Sequence, residues 1–380
     1  MVRFSIVPLL LILLSAQAFA QPAKPAQTEQ DFARLFDRAL ELQQAGDLLG
    51  AVETYKAALA LSPDRVDALS NLGAAYVRLG QYDDGIRQYE AALKSDPSNG
   101  TVRLNLALAY YKSARPLDAI PQLKRVVASD PDAKSAYLVL ADCYLQAGQD
   151  QEVVALLTPR AEMFGDNNLA FAYLLGTALL YTGDTVGGQK YVDRVFGAGE
   201  SAEAHLLMGI AHLGQQDYPA AKIELARAVQ MNSALPTAHA LYGRSLLALG
   251  EPADAERAFR QELDLNVNDF EANLQLGNLR KAAQRFPEAS TYLERATTIR
   301  PTDLTARKLL ASLRLQTGRV TEAAGMLEAI VKEAPDLVEV HVQLATAYNR
   351  LGRKEDAERE RAIVDRLNAE AQAKQKGKGE

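Results

Sequence analysis

Four histidines, one cysteine and a few acidic pairs are the groups in this 380-residue chain with the chemistry for catalysis or metal binding. His205, His212, His239 and His341 form no H-E-x-x-H pair, the spacing that puts two imidazoles and a carboxylate on one helix face. His205 and His212 stand seven apart and could share a face, but a metal needs more ligands and no cysteine lies near. Cys143, beside Tyr144 in an apolar helical stretch, reads as a buried, inert thiol rather than a nucleophile. No G-x-x-x-x-G-K-S/T loop is present to cradle phosphate, and no G-x-S-x-G elbow to expose a serine. Asp83-Asp84 and Glu355-Asp356 fall at turns or helix starts, where negative charge complements the helix dipole. The expectation is a non-enzyme with no cofactor and no bound metal.

Composition narrows the partners. The formal net charge is −6, so the dense cationic surface that displaces counterions from nucleic acid is missing, and no nucleic acid is expected. With 48% hydrophobic residues the chain has ample material for packed structure. A single cysteine forms no internal disulfide, so an oxidising compartment would add no cross-link. The N-terminus reads as a targeting segment over 1–20. Arg3 precedes the apolar run Leu9 to Leu14, and Ala18-Phe19-Ala20 is a small-x-small cleavage site. The run is too short to span a membrane, and no cysteine follows the site to take a lipid. The chain is therefore expected to be exported, to the periplasm or the periplasmic face of the envelope, with no stable membrane span after cleavage.

The elements that must position any site repeat along the chain. Residues 66–99 read VDALSNLGAAYVRLGQYDDGIRQYEAALKSDPSN. Leu72, Gly73 and Tyr76 share one helix face and Gly80 stops that helix; Gly85, Tyr89 and Ala92 mark a second, which Pro97 ends. The pattern recurs about every 34 residues, in ten units from 32–65 to 338–371. The eighth position is Ala or Gly in all ten, from Ala39 to Ala345; the twentieth is small in nine, Val153 being the exception. Glycines at Gly46, Gly80, Gly148, Gly183, Gly250, Gly318 and Gly352 fall at the end of the first helix, where a left-handed residue closes the turn. Pro116, Pro219, Pro252 and Pro287 open second helices. Ser98 and Thr302, each directly after a proline, are candidate caps for the next unit. This period and punctuation resemble the tetratricopeptide repeat, a helix-turn-helix unit that stacks into a solenoid. The resemblance covers 32–371. It implies an all-α, right-handed superhelical solenoid whose helices cross closely at the two small positions.

Residues 21–31, rich in Pro, Ala and Gln, read as a flexible linker, and 372–380 as a disordered tail or a weak basic interaction tail. The middle is looser. Pro159 falls inside a second helix, and Gly187-Gly188 and Gly197-Ala198-Gly199 follow. Two readings stand for 158–200: drift within a tolerant repeat, or a joint between a 32–165 lobe and a 202–371 lobe. The charged last repeat suits a terminal cap.

The resemblance also implies a function. In this family the first helices line a concave groove that grips an extended peptide or a partner helix. By position, Asn71 and Asn105 occupy the sixth place of successive repeats, Arg78 and Lys112 the thirteenth, and Tyr111 adjoins them. Amides, cations and an aromatic together suit an acidic or C-terminal peptide. Tyr173, Tyr181, Asn278 and Lys281 map to groove-facing positions farther along. The expected role is a non-catalytic protein–protein interaction scaffold or adaptor in the cell envelope. The alternatives are a regulatory or targeting subunit of a separately encoded enzyme, or a periplasmic chaperone of exported proteins.

Overall fold

The computed structural model describes residues 25–376; the expected targeting segment, residues 21–24 of the linker and the last four residues of the tail lie outside them. Among the described residues the regular structure is wholly helical, arranged as ten successive antiparallel helix pairs. The chain forms two compact units that divide between Ser98 and Asn99.

The first unit holds two pairs, Pro25–Gln44 with Leu48–Leu61 and Val66–Arg78 with Tyr82–Ser95. Its core joins Ala39, Ala51, Tyr55, Leu72 and Tyr76, with Phe32, Ala58 and Ala68 beside it. The expected linker is helical from Pro25 onward. Proline is tolerated at the helix start, Ala, Gln and Glu extend it, and Glu29 pairs with Arg65 at 2.8 Å. The Arg65 guanidinium also lies 3.9 Å over the Phe32 ring. At the other end of the chain the expected tail continues the helix Lys354–Lys376, because Ala, Glu, Gln, Lys and Arg all favour that state.

The second unit stacks eight pairs into a solenoid, from Gly100–Lys112 with Pro116–Ser129 to Val338–Arg350 with Lys354–Lys376. The small columns sit where helices cross. A Cβ on Gly243 would come 2.7 Å from Phe259, and one on Gly277 2.7 Å from Leu293. The seven turn glycines all have positive φ. Ala114, Gln216 and Gln284 hold the equivalent place with φ of 54°, 61° and 58°, so stacking imposes the left-handed turn without glycine. Of the residues after the prolines, Asp64, Ser98, Asp132, Thr302 and Asp336, none caps the next helix: Asn99 and Asp303, one residue later, accept from the amides of Val102 and Ala306, while Arg65, Ala133 and Leu337 hold the cap place without a side-chain bond.

Pro159 breaks its helix into Asp150–Leu157, a 3-10 turn at Thr158–Arg160 and Ala161–Phe164. Ala172, Leu180, Val192 and Val195 belong to the same core as Ala202, Leu206, Leu207 and Leu225, so apolar packing continues from 172 into the following repeat. The histidines at fourth positions are buried and partnered. His205 lies between Glu224 (2.6 Å) and Glu200 (3.0 Å); His341 between Glu360 (2.5 Å) and the Pro335 carbonyl (2.8 Å); His239 meets the Ser233 carbonyl at 3.1 Å. Cys143 is fully buried, which pushes its thiol up to about 12.

Candidate functional site

Within the second unit the first helices of successive pairs surround a chamber of about 610 Å³. The lining follows helical spacing. Leu138, Asp142 and Leu145 come from Lys134–Gln146, and Ala170, Tyr173, Thr177 and Tyr181 from Leu169–Tyr181. Glu203 and Ile210 come from Ala202–Gly214, and Leu241 and Arg244 from Ala238–Ala248. Asp269, Phe270, Glu271 and Arg300 complete the wall.

Two contacts close the chamber across long stretches of chain. The Arg300 Nε and Nη2 donate to the carbonyls of Gln146 and Leu145, each at 3.0 Å. These carbonyls end the helix Lys134–Gln146, where the Leu145 carbonyl also accepts from the Gly148 amide at 3.0 Å, and a cation complements the negative end of the dipole. The same guanidinium lies 4.3 Å over the Phe270 ring. The Asn268 side-chain amide donates to the carbonyl of Ala114 at 3.2 Å, 154 residues away.

The wall is acidic. Five carboxyls line it, Asp142, Asp150, Glu203, Asp269 and Glu271, against two guanidiniums, Arg244 and Arg300. Asp142 Oδ2 accepts from Tyr111 Oη at 2.5 Å and from Gln146 Nε2 at 2.9 Å, yet burial outweighs both and raises its pKa. Burial also raises Asp150, with Arg300 opposing. Asp269 is pushed up to about 7 by burial and by the neighbouring Glu262, although it caps its helix by accepting from the Ala272 amide at 2.7 Å. Tyr181 leaves 40% of its surface open to the concavity, but the protein packed around it removes enough water to push its phenol up to about 12. Burial raises the phenols of Tyr111 and Tyr173 as well.

Local backbone serves this wall. Thr237 has φ of +64°, an unfavourable state for a β-branched residue, at the start of Ala238–Ala248. The fully buried Glu262 supplies the missing cap, accepting from the amides of Thr237 at 2.8 Å and Ala240 at 3.4 Å.

The residues singled out in the sequence are distributed unevenly. Asn71 and Arg78 belong to the first unit, where Asn71 is half-buried and the exposed Arg78 donates to the Gln43 carbonyl at 3.2 Å. Asn105, Tyr111 and Lys112 belong to the second. Of these three, Tyr111 alone lines the chamber, with its hydroxyl committed to Asp142. Tyr173 and Tyr181 line it; the exposed Asn278 and half-buried Lys281, whose pKa burial lowers, do not. Sequence reasoning missed Asp142, Asp150, Thr177, Asp269 and Arg300. The available signal was the ninth repeat position, which carries Asp142, Thr177, Ile210 and Arg244 in four successive units.

Comparison with known proteins agrees with this architecture. Family models described as TPR repeat match residues 39–80 and 75–113, and models described as tetratricopeptide repeat match 104–152, 173–239, 241–303 and 280–337. The unmatched stretch 153–172 contains the helix broken at Pro159. Among solved structures, the crystal structure of the APC/C hetero-tetramer Cut9–Hcn1 matches with a TM-score of 0.56 and 16% identity, covering 91% of this chain and 76% of that one. At that identity the likeness concerns the fold alone. None of the curated proteins compared matches this chain.

Proposed function

We propose that this chain, which is built of tetratricopeptide repeats, is a non-catalytic scaffold or adaptor of the cell envelope that holds a segment of a partner protein in the chamber of its second unit. Repeats of this kind bind proteins and peptides, and the observation that carries the reading is a pre-formed chamber of about 610 Å³ lined by first helices. That volume lies in the range of sites that enclose a ligand, and its mixture of apolar walls and a few converging polar groups is what such sites use for affinity and orientation. Export rests on the n-region, apolar run and Ala18-Phe19-Ala20 site.

A photo-crosslinking residue placed at Tyr181, at the chamber wall, tests the reading in the native envelope. Partner adducts should form there and not at Val186, an exposed position on the following helix. Adducts of equal yield at both positions, or none at 181, overturn it. N-terminal sequencing of the envelope fraction should begin at Gln21; an intact Met1 in the cytoplasm overturns the export reading.

A further inference from the structure

The polarity of the chamber runs against the acidic ligand that the groove residues suggested. We infer that the chamber selects a basic segment, receiving the ammonium or guanidinium of a partner's Lys or Arg side chain against Asp142 and Asp150; this deepens the partner-segment reading and rests on it.

Three observations converge. One is the charge balance: five carboxyls face two guanidiniums, and Arg300 is already engaged with the Leu145 and Gln146 carbonyls and the Phe270 ring. An acidic side chain entering here would meet like charge in a desolvated place, which is strongly unfavourable. Another is the set of unanswered polar atoms. Thr177, only 4% exposed, has an Oγ1 with no hydrogen-bond partner, and Asp150 has a buried Oδ1 with none. Buried polar atoms are normally satisfied, so acceptors left open in a chamber wall point to a donor that arrives with the ligand. Asp142 is held by Tyr111 and Gln146 through Oδ2 alone, which orients the carboxylate. The last is the surroundings of the acids. Leu138, Val139, Leu174 and Leu241 provide an apolar wall for a methylene stem, and the Tyr173 and Tyr181 rings offer faces that attract a cation. Burial holds both Asp142 and Asp150 above the ordinary carboxyl range, a penalty that an incoming cation relieves. Arg244 supplies donors for the segment's backbone carbonyls.

The test uses the mature full chain and four N-acetylated pentapeptide amides that differ only at the centre: Lys, Arg, norleucine or Glu. Isothermal titration should show the Lys and Arg peptides binding at least about tenfold tighter than norleucine, the ratio expected from one charge-assisted hydrogen bond. The Glu peptide should bind weakest. Asp142→Asn with Asp150→Asn, both near-isosteric and checked by circular dichroism, should bring the Lys and Arg affinities to within about twofold of the norleucine affinity of the same variant. A Glu peptide that binds as well as Lys, a Lys preference that survives the double substitution, or no binding of any peptide overturns the inference. Crosslinking through position 181 is scored independently, so the partner-segment reading stands or falls on its own result.

Discussion

In a solenoid whose repeats touch only their neighbours, a substitution at residue 300 should be felt in adjacent repeats and fade with distance. Arg300 breaks that rule, because it caps a helix that ends 154 residues earlier. Arg300→Ala removes two hydrogen bonds from a charged donor, each contributing about 1.5–3 kcal/mol in a buried setting. It also removes a cation–π contact of roughly 0.5–1 kcal/mol with Phe270. The side chain is half-buried, so water competes and screens; a net loss of roughly 2–4 kcal/mol is expected. Hydrogen exchange reads this directly. Amides in 134–150 should open at least about 30-fold faster, since about 1.4 kcal/mol is a factor of ten. Those in the intervening helices Ala202–Gly214 and Tyr218–Met231 should change little. Arg300→Lys keeps the charge but not the forked donors, and should recover less than half of the protection. If protection in 134–150 is unchanged and the loss decays outward from 300, the long-range cap contributes nothing and the argument fails.

Three further outcomes follow from the same structure. Gly277→Leu should cost about 3 kcal/mol or more, because the added Cβ alone lies 2.7 Å from Leu293. Gly352→Ala, with open space around a φ of +76°, should cost about 1 kcal/mol; equal shifts in urea midpoint would contradict the packing assignment. Gln284→Gly should stabilise by roughly 0.5–1 kcal/mol, as glycine relieves the φ of +58°, and a drop in the urea midpoint would refute that. Asp269 is raised to about 7 among Glu262, Glu271 and Arg300, so the folded state holds a proton the unfolded state has released. Its contribution is present below pH 4 and lost as pH rises through 7, by up to roughly 4 kcal/mol. Asp269→Asn keeps the cap and should flatten the fall in stability between pH 5 and 8; an unchanged slope removes Asp269 as its source.

The fold was legible because its constraints are local. A small residue at the eighth position is forced by a side chain sixteen residues on, as Gly73 is by Tyr89, and one at the twentieth by a side chain eight residues back, as Gly85 is by Val77, so the requirement repeats wherever the unit does. The turn was legible too, even where Ala114, Gln216 and Gln284 replace glycine, because the helices on both sides fix its geometry. The site was less so. The sixth and thirteenth positions, with Tyr173 at a fifth and Asn278 at a ninth, were read as the groove; in the second unit the second, fifth and ninth positions line the chamber, as at Glu203, Tyr173 and Asp142, and Tyr181 does so from a thirteenth. Which column faces a chamber depends on small rotations summed over several repeats, and no single repeat carries that sum. Arg300 and Asn268 were invisible for the same reason, since each meets a carbonyl about 154 residues away.

Several unfavourable features of the second unit lie at or beside the chamber. A β-branched residue in a left-handed conformation at Thr237, a fully buried carboxylate at Glu262, and unanswered acceptors at Thr177 and Asp150 each oppose stability. Unanswered buried atoms occur elsewhere too, at Asn273 and Gln343 for example, whereas His205 has two carboxylates, His341 a carboxylate and a carbonyl, and Arg280 has Glu256 and Glu288. Packing alone gives no reason for the first group, because Ala or Leu at 177 would fill the space without an unpaired hydroxyl. Glu262 has a structural reason, since it caps the helix that Thr237 cannot. Thr177 and Asp150 have none within the chain. Their side chains line the same chamber as Asp142, Tyr173 and Tyr181, and a donor brought by a ligand would convert both from liabilities into contacts.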